Sequence, residues 1–238
     1  MRCASSPPLV SSSGLFAHLC SERAKDFIFA SLRGAAARRR GGMAGSSSLD
    51  TRYPAFGLSH GGEQRAYIAV NATADDRPVL VLLHWFGGTA AQMVTRVRDA
   101  VDLSAWSVIA PNGASDHSFN GGACCGLAAQ RRIDDVGLVD VLVADALRAR
   151  RNRRVALMGF SNGAFLGSHV ALRAKQWTLD RAVFVAGSTY DLAAYDAATT
   201  PVHVLVVHGL RDEHVNMRGC CADVRCCWCA CLLCCVCV

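Results

Sequence analysis

The sequence predicts an α/β fold, a mostly parallel sheet with helices on both faces. Three observations predict it. Short, nearly continuous apolar runs bounded by Gly, Pro or Asp recur through the middle of the chain. Apolar positions at helical spacing lie between several of these runs. A Gly-x-Ser-x-Gly pentapeptide stands where one run ends and a helical pattern begins.

The chain has 238 residues, enough for one sizeable core and too few for two comfortable ones. With 52% apolar and 18% charged residues, a disordered protein, a collagen and a coiled coil are excluded. No apolar run reaches the length of a membrane-spanning helix, about 18 residues. The net charge is +6, but residues 1–42 alone carry seven basic and two acidic side chains. The remainder is nearly neutral, so no basic face for nucleic acid is expected on the folded part.

Three parts are expected. Residues 1–50 are rich in Ser, Ala, Gly and Arg, and read as a disordered or transit-like extension. Residues 51–218 read as the folded domain. Residues 219–238 hold nine of the 13 cysteines and read as a tail outside the fold.

Within the domain, apolar runs predict strands over 67–70, 79–84, 108–110, 155–160, 182–186 and 202–207. Met93, Val94, Val97 and Val101 repeat at helical spacing. Val136, Val139, Leu142, Val143, Ala146 and Leu147 do so after Asp134-Asp135, two anions suited to a helix start. A third helix is expected after Ser161. Arg148, Arg150, Arg151, Arg153 and Arg154 fall where the second helix should end, and read as a solvated cationic helix terminus.

The chemistry centres on Gly159-Phe160-Ser161-Asn162-Gly163. Strand, sharp turn and helix form the context of a nucleophile elbow, which exposes Ser161 at the C-terminal edge of the sheet. Upstream, the 79–84 strand runs into His84-Trp85-Phe86-Gly87-Gly88. A turn of this kind supplies one backbone donor of an oxyanion hole, here the Phe86 N–H, beside the N–H of Asn162. The bland alternative is an ordinary tight turn with a core histidine at His84. Downstream, Asp212 follows the last predicted strand in the order Ser…Asp, where the triad acid belongs. His208 is expected to pack and hydrogen-bond at that turn.

From Arg77 to about Val215 the chain resembles the polyhydroxybutyrate depolymerase-like esterases of the α/β-hydrolase fold, relatives of feruloyl and acetylxylan esterases. The segments carrying the resemblance are Arg77-Pro78-Val79-Leu80-Val81-Leu82-Leu83-His84, Gly87-Gly88-Thr89-Ala90 and Ala110-Pro111-Asn112-Gly113. They continue with residues 120–126 and their Cys124-Cys125 pair, Asp134-Asp135-Val136-Gly137, the elbow, and His208-Gly209-Leu210-Arg211-Asp212. The resemblance implies a serine ester hydrolase acting through an acyl-enzyme on polyhydroxyalkanoate, feruloyl or acetyl polysaccharide esters. Ser161 is then the nucleophile and Asp212 the acid. Neither a metal nor an organic cofactor is expected. The partner is a small or polymeric ester substrate. The alternatives are a catalytically inactive ligand-binding relative and a peptidase of the same fold. The resemblance implies an extracellular protein, while the basic Ser/Arg-rich N-terminus suits an organelle.

Three departures accompany the resemblance. His84-Trp85 stands where the family usually has His-Gly, so the indole is expected to narrow the site or twist the oxyanion turn. The family's catalytic His lies beyond the acid, but after Asp212 there is only His214, too close to reach Ser161 while Asp212 orients it. His18, His60, His84, His117, His169, His203 and His208 lie before Asp212 without the expected context, and His117, in a loop near the predicted mouth, is the nearest to a substitute among them. The last strand, the His loop and the final helix are therefore expected to be missing. The tail itself reads as a frameshift or retained intron, although Cys226-x-x-Cys229 and Cys231-x-x-Cys234 have thiolate-ligand spacing and palmitoylation is open. No pairing is assigned to Cys124 and Cys125, and Asn71-Ala72-Thr73 fits a glycosylation sequon.

Overall fold

The computed structural model describes residues 53–71, 75–122, 124–148, 150–173, 177–187, 202–208, 212, 215 and 234–237. The N-terminal extension, His214, most of the Cys-rich tail and two residues of the sequon lie outside them. By its contacts the chain places the described residues 96–102 in one unit and the other described residues in a second. In the described part of the first unit, the Ala100 and Val101 amides close a helix end on the Val97 carbonyl at 3.0 and 2.8 Å. Every candidate site residue belongs to the second.

The strands are β1 (Ala55–His60), β2 (Glu63–Val70), β3 (Val79–Leu83), β4 (Ser107–Pro111), β5 (Val155–Phe160), β6 (Leu179–Val185), β7 (His203–His208) and β8 (Cys234–Cys237). The helices among the described residues are α1 (Ala90–Arg98), α2 (Gly126–Gln130), α3 (Asp135–Leu147) and α4 (Asn162–Arg173), with a 3₁₀ turn over Leu103–Ala105. The sheet order is β1-β2-β4-β3-β5-β6-β7-β8. Only β2 runs antiparallel to its neighbours β1 and β4, and the other pairs are parallel. The predicted α/β-hydrolase fold, with its mostly parallel sheet and helices, is therefore present.

Continuous apolar runs became strands buried on both faces. All five residues of β3, all five of β4 and all six of β5 are buried. Each fully buried Val or Leu contributes about 1.5–3 kcal/mol relative to exposure. One core cluster joins Val79, Val81, Leu83, Val155 and Leu157 of the sheet to Leu138, Leu142 and Val143 of α3 and Leu166 and Val170 of α4. The alternate residues Leu80 and Leu82 are equally buried, as the period of two requires.

Helix α3 starts as predicted. Asp134 is its N-cap, and its Oδ1 accepts the Gly137 amide at 2.9 Å. The arginine cluster lies at the helix end, with Arg148, Arg151, Arg153 and Arg154 exposed as expected and Arg150 buried. Arg150 Nε donates to the Ala146 carbonyl at 2.7 Å, and Arg153 Nη1 to the Leu147 carbonyl at 3.1 Å. These two side chains satisfy orphan carbonyls of the last turn. Arg150 is buried and reaches Ser107 Oγ at 2.6 Å, while Arg151 and Arg154 pair with Asp75 and Asp180.

The sequence analysis omits three elements. Strand β1 is an exposed edge joined to β2 by Gly61-Gly62, both at positive φ, the two-residue turn that matches strand twist. Helix α2 is only five residues long. Strand β8 corrects the expectation of a missing last strand: Leu205 pairs with Cys234 and His208 with Cys237, in parallel. The open edge of β7 offers unpaired N–H and C=O groups, and small apolar residues such as Cys and Val can occupy it. No helix among the described residues is long and apolar enough to cross a membrane.

Candidate active site

Parallel register brings the ends of β3, β5, β6 and β7 to one edge of the sheet. Leu83 pairs with Gly159, Phe160 with Val185, and Val185 with Val207. Phe86 follows β3, Ser161 and Asn162 follow β5, and Asp212 follows β7. The four predicted site residues thus emerge at the C-terminal edge of a single sheet.

The elbow has the conformation its sequence requires. Ser161 adopts φ +52°, a left-handed value that costs a non-glycine residue about 1–2 kcal/mol. Its amide donates to the Val185 carbonyl at 2.8 Å, and its carbonyl accepts the Ala164 and Phe165 amides at 2.8 and 3.1 Å. The flanking glycines permit the close approach. A Cβ on Gly163 would overlap the Leu83 and His84 carbonyls, and one on Gly159 would overlap Gly163. Asn162 opens α4, so its amide is one of the donors a helix start leaves without an internal acceptor. Among the described residues neither this amide nor that of Phe86 has an acceptor.

The turn after β3 is tight, with the Gly88 amide donating to the Trp85 carbonyl at 2.9 Å. The Trp85 indole lies against Gly88, where a Cβ would sit 2.8 Å from its ring, and meets Phe160 edge-on at 5.9 Å. It therefore packs against the turn and the strand that leads into Ser161. Phe86, by contrast, is 51% exposed.

His84 is a satisfied core histidine beneath this turn. It is fully buried, its Nδ1 is 2.7 Å from the Trp85 carbonyl, and its Nε2 accepts the Gly113 amide at 2.9 Å. The two contacts together demand the neutral tautomer protonated on Nδ1. Burial lowers its pKa to about 4, against the raising effect of the Trp85 hydrogen bond. In the unfolded chain the group titrates near 6.5. Stability is then indifferent to this group above pH 6.5. It falls as pH drops from 6.5 towards 4, because only the unfolded state takes up the proton. The full loss is about 3 kcal/mol. Urea unfolding across this range should show that loss in the native protein and not in His84→Gln, after correction for other groups. Parallel pH profiles would sink the assignment.

The described residues 113–122 form the loop beside the turn. Asp116 accepts Ser118 Oγ at 2.5 Å and the Leu127 amide at 2.6 Å. These bonds outweigh partial desolvation and hold its carboxyl below the usual range. His117, exposed and at φ +55°, gives its carbonyl to the Gly87 amide at 3.0 Å. Cys124 and Cys125 are joined as a vicinal disulfide, a pairing that the sequence analysis leaves open.

Two buried features are absent from the sequence analysis as interactions. Arg65 of β2 donates to Asp135 Oδ1 at 2.6 Å and to the Asn112 carbonyl at 3.0 Å. Asp135 Oδ2 accepts the Asn120 amide at 2.7 Å. Burial pushes the Asp135 carboxyl above its ordinary value, and Arg65 and the Asn120 amide pull it back. The second feature is the Asn162 side chain, fully buried against Phe119. Its position after the nucleophile was the available signal, but only for the backbone N–H.

Asp212 sits at the turn after β7. Its Oδ1 accepts the Val215 amide at 2.9 Å, and its Oδ2 lies 3.6 Å from His208 Nε2. His208 Nε2 donates to the Val215 carbonyl at 2.6 Å, so this histidine hydrogen-bonds at the turn as expected. Among the described residues no histidine is hydrogen-bonded to Ser161.

No protein-family model and no curated protein matches the sequence. Solved structures do match. The dienelactone hydrolase-like promiscuous phosphotriesterase P91 from metagenomic libraries superposes with a TM-score of 0.50 and 21% identity, over 67% of this chain and 70% of its own. Est1E from Butyrivibrio proteoclasticus superposes with a TM-score of 0.52 and 14% identity, over 77% of this chain and 88% of its own. At these identities the likeness is one of fold.

Proposed function

We propose that the chain is a serine hydrolase of carboxylic esters, with polyhydroxyalkanoate, feruloyl or acetyl polysaccharide esters as the substrate class. The observation that carries the reading is Ser161 at φ +52° between β5 and α4, on the sheet edge that also carries Phe86 and Asp212. The substrate class and an extracellular site of action rest on the sequence resemblance to polyhydroxybutyrate depolymerase-like esterases.

In this mechanism Ser161 Oγ attacks the ester carbonyl carbon and its proton passes to a catalytic imidazole, a role for which no described histidine is hydrogen-bonded to Ser161. The carbonyl oxygen gains the negative charge, and the Phe86 and Asn162 amides donate to it. Each such donor is typically worth about 3 kcal/mol in the transition state. The tetrahedral intermediate expels the alcohol, which takes the imidazole proton. Water then attacks the acyl-enzyme by the same route, releasing the acid and restoring Ser161. Asp212 orients and stabilises the imidazolium.

The test is hydrolysis of para-nitrophenyl acetate, together with covalent capture of Ser161 by a fluorophosphonate. Turnover above the buffer rate with label on the Ser161 peptide is expected. Absence of both overturns the reading. A second reading, a ligand-binding relative without turnover, draws on the lack of a histidine bonded to Ser161 among the described residues. Saturable binding of an ester without nitrophenol release would favour it.

A further inference from the structure

The loop of residues 113–122 is anchored on both sides of the candidate oxyanion hole, at two points only two residues apart. On one side the His117 carbonyl accepts the Gly87 amide at 3.0 Å, in the turn that presents Phe86. On the other, the Asn162 side chain satisfies both backbone groups of Phe119. Asn162 Oδ1 accepts the Phe119 amide at 2.7 Å, and Nδ2 donates to the Phe119 carbonyl at 2.8 Å. The Asn162 side chain therefore completes a two-way amide pair, as a neighbouring strand would. Asn162 and Phe119 are both wholly buried, and the Phe119 ring lies 4.5 Å from that of His84.

An oxyanion hole needs only a backbone N–H from the residue after the nucleophile. That requirement does not select asparagine. Its side chain fits the loop: a carboxamide stays uncharged at neutral pH and can donate to a carbonyl and accept from an N–H together. We propose that Asn162 is a positioning residue whose side chain, through residues 117–119, sets the spacing between its own amide and that of Phe86. The span acts as a strut of fixed length between the two donors. Donors already placed for the oxyanion need no reorganisation when charge develops, which is the source of their effect. The catalytic consequence rests on the ester-hydrolase reading, whereas the mechanical coupling does not.

The experiment compares Asn162→Ala and Asn162→Asp with the native full-length chain by amide hydrogen exchange and by para-nitrophenyl acetate kinetics. At neutral pH both variants should speed exchange of the Phe119 amide by about tenfold or more, and that of the Gly87 amide with it. The turnover number should fall by roughly 10–100-fold with KM within about twofold. A protonated aspartic acid offers one donor and one acceptor, and burial raises its pKa. Relative to the native chain at the same pH, the Asp variant should therefore recover protection and turnover as pH falls, and the Ala variant should not. Aspartate is nearly isosteric with asparagine, so it reads the strut even where alanine fails to fold. Faster exchange at Phe119 with Gly87 unchanged overturns the proposal, as does unchanged turnover in either folded variant. If the native chain hydrolyses no ester yet the two amides respond together, the hydrolase reading fails and the strut holds.

Discussion

Ser161→Ala is expected to abolish fluorophosphonate labelling and to bring ester turnover to that of a chain without a nucleophile, roughly 10⁴–10⁶-fold below a complete triad, with little change in ester binding. The substitution removes Oγ and leaves the backbone bonds from the Ser161 amide to Val185 and from Ala164 and Phe165 to its carbonyl. A companion variant separates catalysis from folding. Ser161 holds φ +52°. Glycine adopts that conformation without a Cβ clash, so Ser161→Gly should be as inactive as the alanine variant yet more stable by about 1 kcal/mol. Steady-state kinetics and urea midpoints read the two effects independently. Native turnover in Ser161→Ala would move the chemistry elsewhere. A Ser161→Gly protein no more stable than Ser161→Ala would mean the elbow stores no strain.

The second large effect concerns stability. Arg65→Met should cost about 3–5 kcal/mol, the range for breaking one side of a buried ion pair. Both side chains are almost fully removed from solvent, with exposures of 1% and 0%. The loss comes mainly from the Asp135 carboxylate left without its partner, since Arg65 Nε and Nη1 find no acceptor among the described residues. Adding Asp135→Asn should therefore recover most of it. The uncharged amide keeps an oxygen for the Asn120 amide, which Asp135 Oδ2 now accepts at 2.7 Å. A double-mutant cycle by urea unfolding measures this coupling. Strict additivity of the two substitutions would show that the pair is not what holds β2 to α3.

Much of the architecture is legible in the chain because its signals are local. Val155 to Phe160 is an unbroken apolar run, and it is also strand β5 to the residue. Asp134 announces α3 because its side chain caps an amide only three positions away. Gly61-Gly62 carried an equally local hairpin signal for β1, but β1 is mostly exposed and lacks the apolar run that marks the other strands. Strand β8 is hidden for a different reason: its composition is that of the tail, and its partner β7 lies far upstream.

The site divides along the same line. Ser161, Phe86 and the Asn162 N–H follow from turns next to strands, where a few neighbouring residues define the geometry. The Asn162 side chain and the Arg65–Asp135 pair join positions 43 and 70 residues apart. No local pattern marks them, because only the assembled sheet brings Phe119 to α4 and β2 to α3. Trp85 shows the converse. Its bulk is visible in the sequence, but its direction, across Gly88 and towards Phe160, is a tertiary fact.

The order of strands in the sheet has a consequence for biosynthesis. β3 meets β4 soon after it is made, Val79 pairing with Ser107, but its other edge waits for Val155. At about 5–20 residues per second, translation needs roughly 4–15 seconds to cover that interval. Throughout it, Val79–Leu83 presents an apolar edge with unpaired backbone groups, a template for wrong partners. Non-local parallel pairing also folds slowly once complete. A ribosome-bound chain stopped before residue 155 should therefore depend on chaperones, and one extended past α4 should need them much less. The two halves of the oxyanion hole, written on either side of that delay, come into being together.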